Sequence, residues 1–213
     1  MKPSNNNLVA LAHARARELV LERVPFIFGD FQPTSRIRSP FVPDKRALIS
    51  DTSILDAVAE YWDLVAPDSD LIGGAANFAV PLATALALRR QKPLIVFRTQ
   101  RKTYHFKNCI DGNYSRGQSV LLIDDTIAGA ETAARMVAWC QDEGLRPECI
   151  MIVLAIDPIN RLLGFSDVSG VPVEHLITLT ELFNHHRSRL GSQSEIVEDF
   201  IVNPEKYLTP SPT

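Results

Sequence analysis

Cysteine is scarce here: Cys109, Cys140 and Cys149 are the only three in 213 residues. Three scattered thiols suggest neither a disulfide framework nor a zinc site, and a reduced compartment is the simpler expectation. Long apolar runs are also lacking. The longest, residues 149–156, falls far short of the roughly 18–20 residues that a membrane span needs. Near the N-terminus the apolar run breaks at His13, Arg15 and Arg17, which argues against a signal peptide. There is no excess of one charge. With 22 Lys+Arg against 25 Asp+Glu the net charge is −3, so nothing calls for a nucleic-acid or membrane partner. Repeats and low-complexity segments are absent too, and a cytoplasmic setting is expected.

What is present reads as one α/β domain, residues 1–213. The length suits a single core that needs no staple. Residues 8–22 predict an amphipathic helix with Leu8, Leu11 or Ala12, and Leu19 on one face. Three prolines and four basic side chains over 29–50 predict irregular or short-stranded structure. A helix is expected from Asp51 or Thr52, with Ile54, Leu55, Val58, Trp62 and Val65 at helical spacing. Beyond Pro67, strands at 70–74, 93–98, 119–125, 148–156 and 173–179 alternate with helices at 81–90 and 130–143. Residues 99–117 read as loop, and two late helices precede an end that frays after Pro204. Near-continuous apolar strands alternating with helices point to a mostly parallel sheet with helices on both faces.

The sharpest feature is VLLIDDTIAGAET, residues 120–132. Four apolar residues carry Asp124 and Asp125 to a strand end, where open α/β sheets bind ligands. A small-residue loop of Ala128, Gly129 and Ala130 then opens a helix, whose backbone N–H groups suit an anion. Two carboxylates beside it suit vicinal hydroxyls. Together they describe a ribose 5-phosphate site, set against the plainer reading of an Asp pair capping a helix.

This segment resembles the phosphoribosyl-pyrophosphate motif of the type I phosphoribosyltransferases. Residues 98–112, RTQRKTYHFKNCIDG, narrow the resemblance to orotate phosphoribosyltransferases: Arg98, Lys102, Tyr104, Asp111 and Gly112 fall in register with that family's basic loop. Residues 29–41, 72–88 and 171–182 look like its hood, its I-x-G-x-x-x-x-G-I-P-L-A segment and its C-terminal strand and helix. The resemblance spans about residues 14–208 and implies a hood over about 14–50, a core over about 51–190 and C-terminal helices over about 180–208. It implies displacement of pyrophosphate from phosphoribosyl pyrophosphate by a pyrimidine-like base, with orotate giving orotidine 5′-monophosphate. It also implies Mg2+ carried by the ligand with no direct protein ligand, and a homodimer whose mobile loop closes over the neighbouring site. By match, Lys102, Asp124 and Asp125 are the catalytic candidates. Arg98, Thr99 and Tyr104 would bind substrate with the Asp pair, and Thr126, Ala128, Gly129, Ala130, Glu131 and Thr132 would line the phosphate site.

The departures from the family pattern concern charge. Thr99 replaces the second loop cation, Thr34 the hood lysine, Pro158 the base-binding arginine (Arg161 follows three residues on) and Ala128 a threonine, while Glu131 adds an acid to the phosphate loop. Asn77, Phe78 and Ala79 stand where a later glycine is usual. Arg36, Arg38, Lys45, Arg46, Arg101 and Lys107 are either compensating cations or solvated surface, and His105, His185 and His186 read as surface. Three readings stay open: orotate transfer, transfer to a different base, and non-catalytic or regulatory binding of phosphoribosyl pyrophosphate or a nucleotide.

Overall fold

The computed structural model describes residues 5–34, 37–99, 109–129, 131–162, 167–168 and 170–209. Helix α1 (Asn5–Arg23) leads into a hairpin of β1 (Phe26–Thr34) and β2 (Ile37–Pro43), a short α2 (Ala47–Ser50) and α3 (Thr52–Val65). The buried stripe of α1 is Ala12, Ala16 and Val20, spaced four residues apart, which is one helix face. Leu8 and Leu11 are instead exposed, at 41% and 66%. Helix α1 packs on α3, with Leu21 buried beside this stripe and Leu19 packed at its edge. Helix α3 starts where expected: Asp51 caps it by accepting from the Ser53 N–H at 2.9 Å. Ile54, Val58 and Trp62 are fully buried, while Val65 turns outward. The last carbonyls of α3 are satisfied by Arg90, whose Nη2 donates to Trp62, Asp63 and Ala66 at 3.1, 2.9 and 2.9 Å.

The remaining chain builds a seven-stranded sheet. In chain order its elements are β3 (Leu71–Ala75), α4 (Ala79–Arg90), β4 (Leu94–Phe97), β5 (Ile110–Asp111), β6 (Ser119–Ile127), α5 (Glu131–Glu143), β7 (Arg146–Ala155), α6 (Asp157–Leu162), β8 (Asp167–Val168), β9 (Val171–Thr178), α7 (Leu179–His186) and α8 (Ser194–Val202). The strand order is β5-β4-β3-β6-β7-β9-β8, parallel except for the two edge strands β5 and β8. The mostly parallel sheet and its helices agree with the sequence reading. From β3 to β4 the chain steps one way along the sheet, and from β6 to β7 it steps the other. Right-handed crossovers therefore place α4 and α5 on opposite faces. The approach of α4 to β3 is close: a Cβ on Gly74 would lie 2.8 Å from the Ala83 Cβ.

Several local expectations need correction. Strand β6 does not end at the acids but runs on to Ile127, because β7 continues the ladder through Thr126↔Leu154 and Ile127↔Ala155. The expected loop 99–117 holds β5, which pairs with Val96 and Phe97 and buries Ile110. His186 is buried rather than on the surface, packed edge-on against Phe26 with centroids 6.0 Å apart, and burial lowers its pKa. The described residues after Pro204, as far as Leu208, are anchored rather than frayed. Asp199 accepts from Asn203, Lys206 and Tyr207 at 2.6, 2.8 and 2.8 Å, which hold its carboxyl down to about 2, and Leu208 bridges to Ile37. All three cysteines are buried and none forms a disulfide; burial pushes the Cys140 thiol up to about 12 and the Cys149 thiol up to about 11.

Candidate active site

A cavity of about 370 Å³ opens beyond the C-terminal ends of β3 and β6. These strands are neighbours in the sheet, yet from one the chain leaves leftward and from the other rightward. That is a topological switch point, where the two loops part and leave a crevice. On one side of the crevice lie Ala76, Asn77 and Phe78, and on the other Asp124 through Gly129 with Glu131 and Thr132. The Ala76–Asn77 peptide bond is cis.

Asp124 and Asp125 are 6% and 7% exposed, so both carboxylates are nearly withdrawn from bulk water and spend what exposure they have on the cavity. Asp124 accepts from the Asp125 N–H at 2.9 Å, and Asp125 accepts from the Thr126 hydroxyl at 2.9 Å. Burial, reinforced by the neighbouring Asp125 charge, holds the Asp124 carboxyl well above the usual carboxylate range. Lys45, from the segment after the hairpin, reaches over to place its Nζ 2.5 Å from Asp125 Oδ2. The same ammonium lies 5.3 Å from the centroid of Phe78, tying both walls of the cavity together.

The loop after β6 is fastened from the segment that follows β7. Asn160, buried on α6, accepts from the Gly129 N–H at 2.9 Å and donates to the Ile127 carbonyl at 3.3 Å. The Ile156 N–H donates to that carbonyl as well, at 2.8 Å. Gly129 has φ +74°, a left-handed conformation that a side chain would strain, and it turns the backbone toward α5. The helix start then presents its N–H groups to the cavity that Glu131, Thr132 and Ala133 line. Glu131 is itself exposed.

The structure thus brings together Asp124, Asp125, Thr126, Ala128, Gly129, Glu131 and Thr132, as the sequence suggested. Arg98 and Thr99 do not line the cavity; Arg98 forms an ion pair with Asp111. Lys102, Tyr104 and Ala130 lie outside the described residues, as do Arg36, Arg101, His105 and Lys107, and the side chains of Thr34 and Arg161. Pro158 is buried in α6. Arg38 and Arg46 are spent on Asp30 and Asp44, so of the described compensating cations only Lys45 enters the cavity. Asn160 escaped the sequence reading altogether; its one signal was an amide among apolar neighbours directly after a strand end.

A second, smaller cavity of about 80 Å³ adjoins the first and shares Pro33, Lys45, Thr126 and Ala128 with it. Its further walls are mostly apolar, with Ile37, Phe41 and Val42 from the hairpin, Ile156 and Leu179 from the sheet side, and Phe200 from α8. Chemically, the pair of cavities offers hydroxyl acceptors and an anion cradle in one chamber and a flat apolar slot beside it. Among the described residues no cluster of three or more His, Cys, Asp or Glu side chains forms a metal cage.

No family model matches the chain. Uridine 5′-monophosphate synthase of Bos taurus is 32% identical over 180 residues, covering 81% of this chain but only 36% of the bovine protein. Orotate phosphoribosyltransferase of Methanopyrus kandleri is 30% identical over 171 residues, which is 79% of this chain and 90% of that one. Among solved structures, UMP synthase of Leishmania donovani superposes with a TM-score of 0.70 at 25% identity, over 92% of this chain and 43% of that one. Orotate phosphoribosyltransferase of Mycobacterium tuberculosis in complex with 5-phospho-alpha-D-ribosyl 1-diphosphate shares the fold, with a TM-score of 0.59 at 20% identity over 84% of this chain. The chain therefore spans about a third of the bovine synthase and less than half of the Leishmania one, but nearly the full length of the Methanopyrus transferase. Taken with the site at the switch point, these likenesses establish that the chain belongs to the orotate phosphoribosyltransferase family.

Proposed function

We infer that this chain transfers ribose 5-phosphate from phosphoribosyl pyrophosphate to orotate, releasing pyrophosphate and forming orotidine 5′-monophosphate in pyrimidine nucleotide synthesis. The observation that carries the reading is the first cavity, with the Asp124–Asp125 pair on one wall and the loop from Thr126 to Thr132 opening α5 on the next. The loop and the α5 N-terminus receive the 5′-phosphate, and the two carboxylates take the ribose hydroxyls. The apolar slot between the hairpin and α8 takes the flat base, which makes the hairpin a hood over the acceptor. As the bond to pyrophosphate breaks, the ribose becomes oxocarbenium-like and negative charge grows on the leaving group. The cavity itself lines up three carboxylates against one ammonium, so the compensating charge comes from the basic stretch 98–112, with Lys102 on the pyrophosphate.

Magnesium fits this arrangement as an ion held chiefly by the ligand's phosphates and water, a habit of that cation; Asp124 and Asp125 would share it through water. Bound there, it would neutralise the leaving pyrophosphate. The basic stretch closing over the neighbouring subunit's site makes the protein a homodimer and keeps water from the reacting centre. Among the described residues no helix is long and apolar enough to cross a membrane, and the three buried thiols, none in a disulfide, suit a reducing cytoplasm.

The deciding measurement is pyrophosphate release from phosphoribosyl pyrophosphate and Mg2+ with orotate, beside uracil and other bases. Release that depends on orotate supports the reading, and release with another base alone replaces the acceptor. A second reading, binding without transfer, draws on Pro158 being buried and Thr99 lying outside the cavity, where the family has cations. It would show as tight binding of phosphoribosyl pyrophosphate with no release for any base.

A further inference from the structure

The acceptor proposed above carries a carboxylate, and an unpaired carboxylate is costly in an apolar slot. The resembled family's base-binding arginine falls on Pro158 in this chain, and its hood lysine on Thr34. Among the described residues, Lys45 is the one charged side chain lining the second cavity, and it lines the first as well. Its ammonium therefore stands at the doorway between the ribose chamber and the base slot, 2.5 Å from Asp125. The lysine stem is flexible, and its side chain keeps 33% of its accessible surface, so the head can swing while its backbone stays fixed. Ribose hydroxyls donating to Asp125 would compete for the same carboxylate oxygens and loosen its hold on the ammonium.

We propose that Lys45 is the acceptor-specificity residue: counter-ion to Asp125 in the free protein, and partner of the acceptor's carboxylate once the ribose occupies Asp125. This rests on the orotate reading and adds the residue by which a carboxylated base is told from a plain one. The surrounding lining fits the role, because no other charged described side chain in the slot competes for the ammonium. Selection for an acid then comes from one ion pair inside apolar walls, where such a pair is weakly screened.

The test uses two nucleotides that differ by that one carboxylate, orotidine 5′-monophosphate and uridine 5′-monophosphate, titrated calorimetrically with Mg2+ into the full chain. Wild type is expected to prefer the orotidine nucleotide. In Lys45→Met that preference falls at least tenfold, and in Lys45→Arg, which keeps the charge, most of it remains. A Lys45→Met preference within twofold of wild type overturns the proposal, as does a wild type that binds both nucleotides equally. Should Lys45→Met not fold, Lys45→Gln serves with the same two outcomes. Because the readout is binding, it is independent of turnover: a wild type that prefers the orotidine nucleotide yet releases no pyrophosphate refutes the transferase reading and leaves Lys45 standing.

Discussion

Asp124 is a carboxyl that the fold holds against its own stability. Its pKa in the folded protein lies above the unfolded value, so the folded state retains a proton that the unfolded chain gives up. Stability therefore falls as pH rises from near the ordinary Asp value through the raised one. Asp124→Asn is expected to melt higher than wild type at pH 7, by about 2–4 °C for each kcal/mol relieved. Near pH 3, where both states are protonated, the gain disappears. The same variant should bind phosphoribosyl pyrophosphate more weakly. Scanning calorimetry at the two pH values, with a ligand titration, checks all three. Glu131 poses the opposite question. An acid in the first turn of α5 stabilises the helix by about 0.3–1 kcal/mol but faces the cavity meant for a phosphate. Glu131→Thr is expected to tighten phosphoribosyl pyrophosphate binding severalfold and lower the melting point slightly; weaker binding would make Glu131 a ligand contact. The acid pair was legible in the sequence because two charges end an apolar run that has no other use for them. Lys45 was legible only as one of six candidate cations, with nothing to single it out, since its partner Asp125 lies on a distant strand and its neighbours Asp44 and Arg46 pair with each other as ordinary surface charges do.

Among the elements, the loop between β6 and α5 owes its shape to α6. Removing the Asn160 amide leaves the Gly129 N–H and one acceptor site at Ile127 without their partner, at about 1–3 kcal/mol per unsatisfied group. Asn160→Ala should raise the KM for phosphoribosyl pyrophosphate about tenfold, with a smaller change in kcat, because a loop that receives the 5′-phosphate as proposed would hold it in ground and transition state alike. Steady-state kinetics with varied phosphoribosyl pyrophosphate decides it; a change in kcat alone would point away from loop positioning. Helices α3, α4 and α5 and strands β3, β6 and β7 were readable because their apolar spacing matches one period over many residues. Strand β5 was not, being two residues that become a strand only because β4 offers an open edge. The face of α1 was legible only in part, at Ala12 and Leu19, since alanines announce burial far less than leucines do and Leu8 and Leu11 are exposed.

For the whole molecule, sequence patterning pointed to the class of sheet and to the sheet end at which the cavity opens. The strand order that creates the switch point lies in pairings between distant segments, which local periodicity does not carry. The proposed two-chain site is a matter of this scale too. Mixing Lys102→Ala with Asp124→Asn subunits, each nearly inactive alone, is expected to restore part of the pyrophosphate release, since one site of each mixed dimer then has an intact loop and an intact acid pair. Recovery that fails to appear although sedimentation shows mixed dimers would confine the loop to its own subunit.

The three thiols have a use as a clock. Thiolate is the reactive form, and burial suppresses it at Cys140 and Cys149 while closing all three off from solvent. A thiol reagent can then mark these sites only when the sheet around β6 and β7 or the packing of α5 opens. At high reagent concentration the labelling rate becomes the opening rate itself. Mass spectrometry of each cysteine-bearing peptide would time the opening of α5 at Cys140, of β7 at Cys149 and of the segment before β5 at Cys109 separately. Ligand in the cavity should slow whichever of these openings also empties the site.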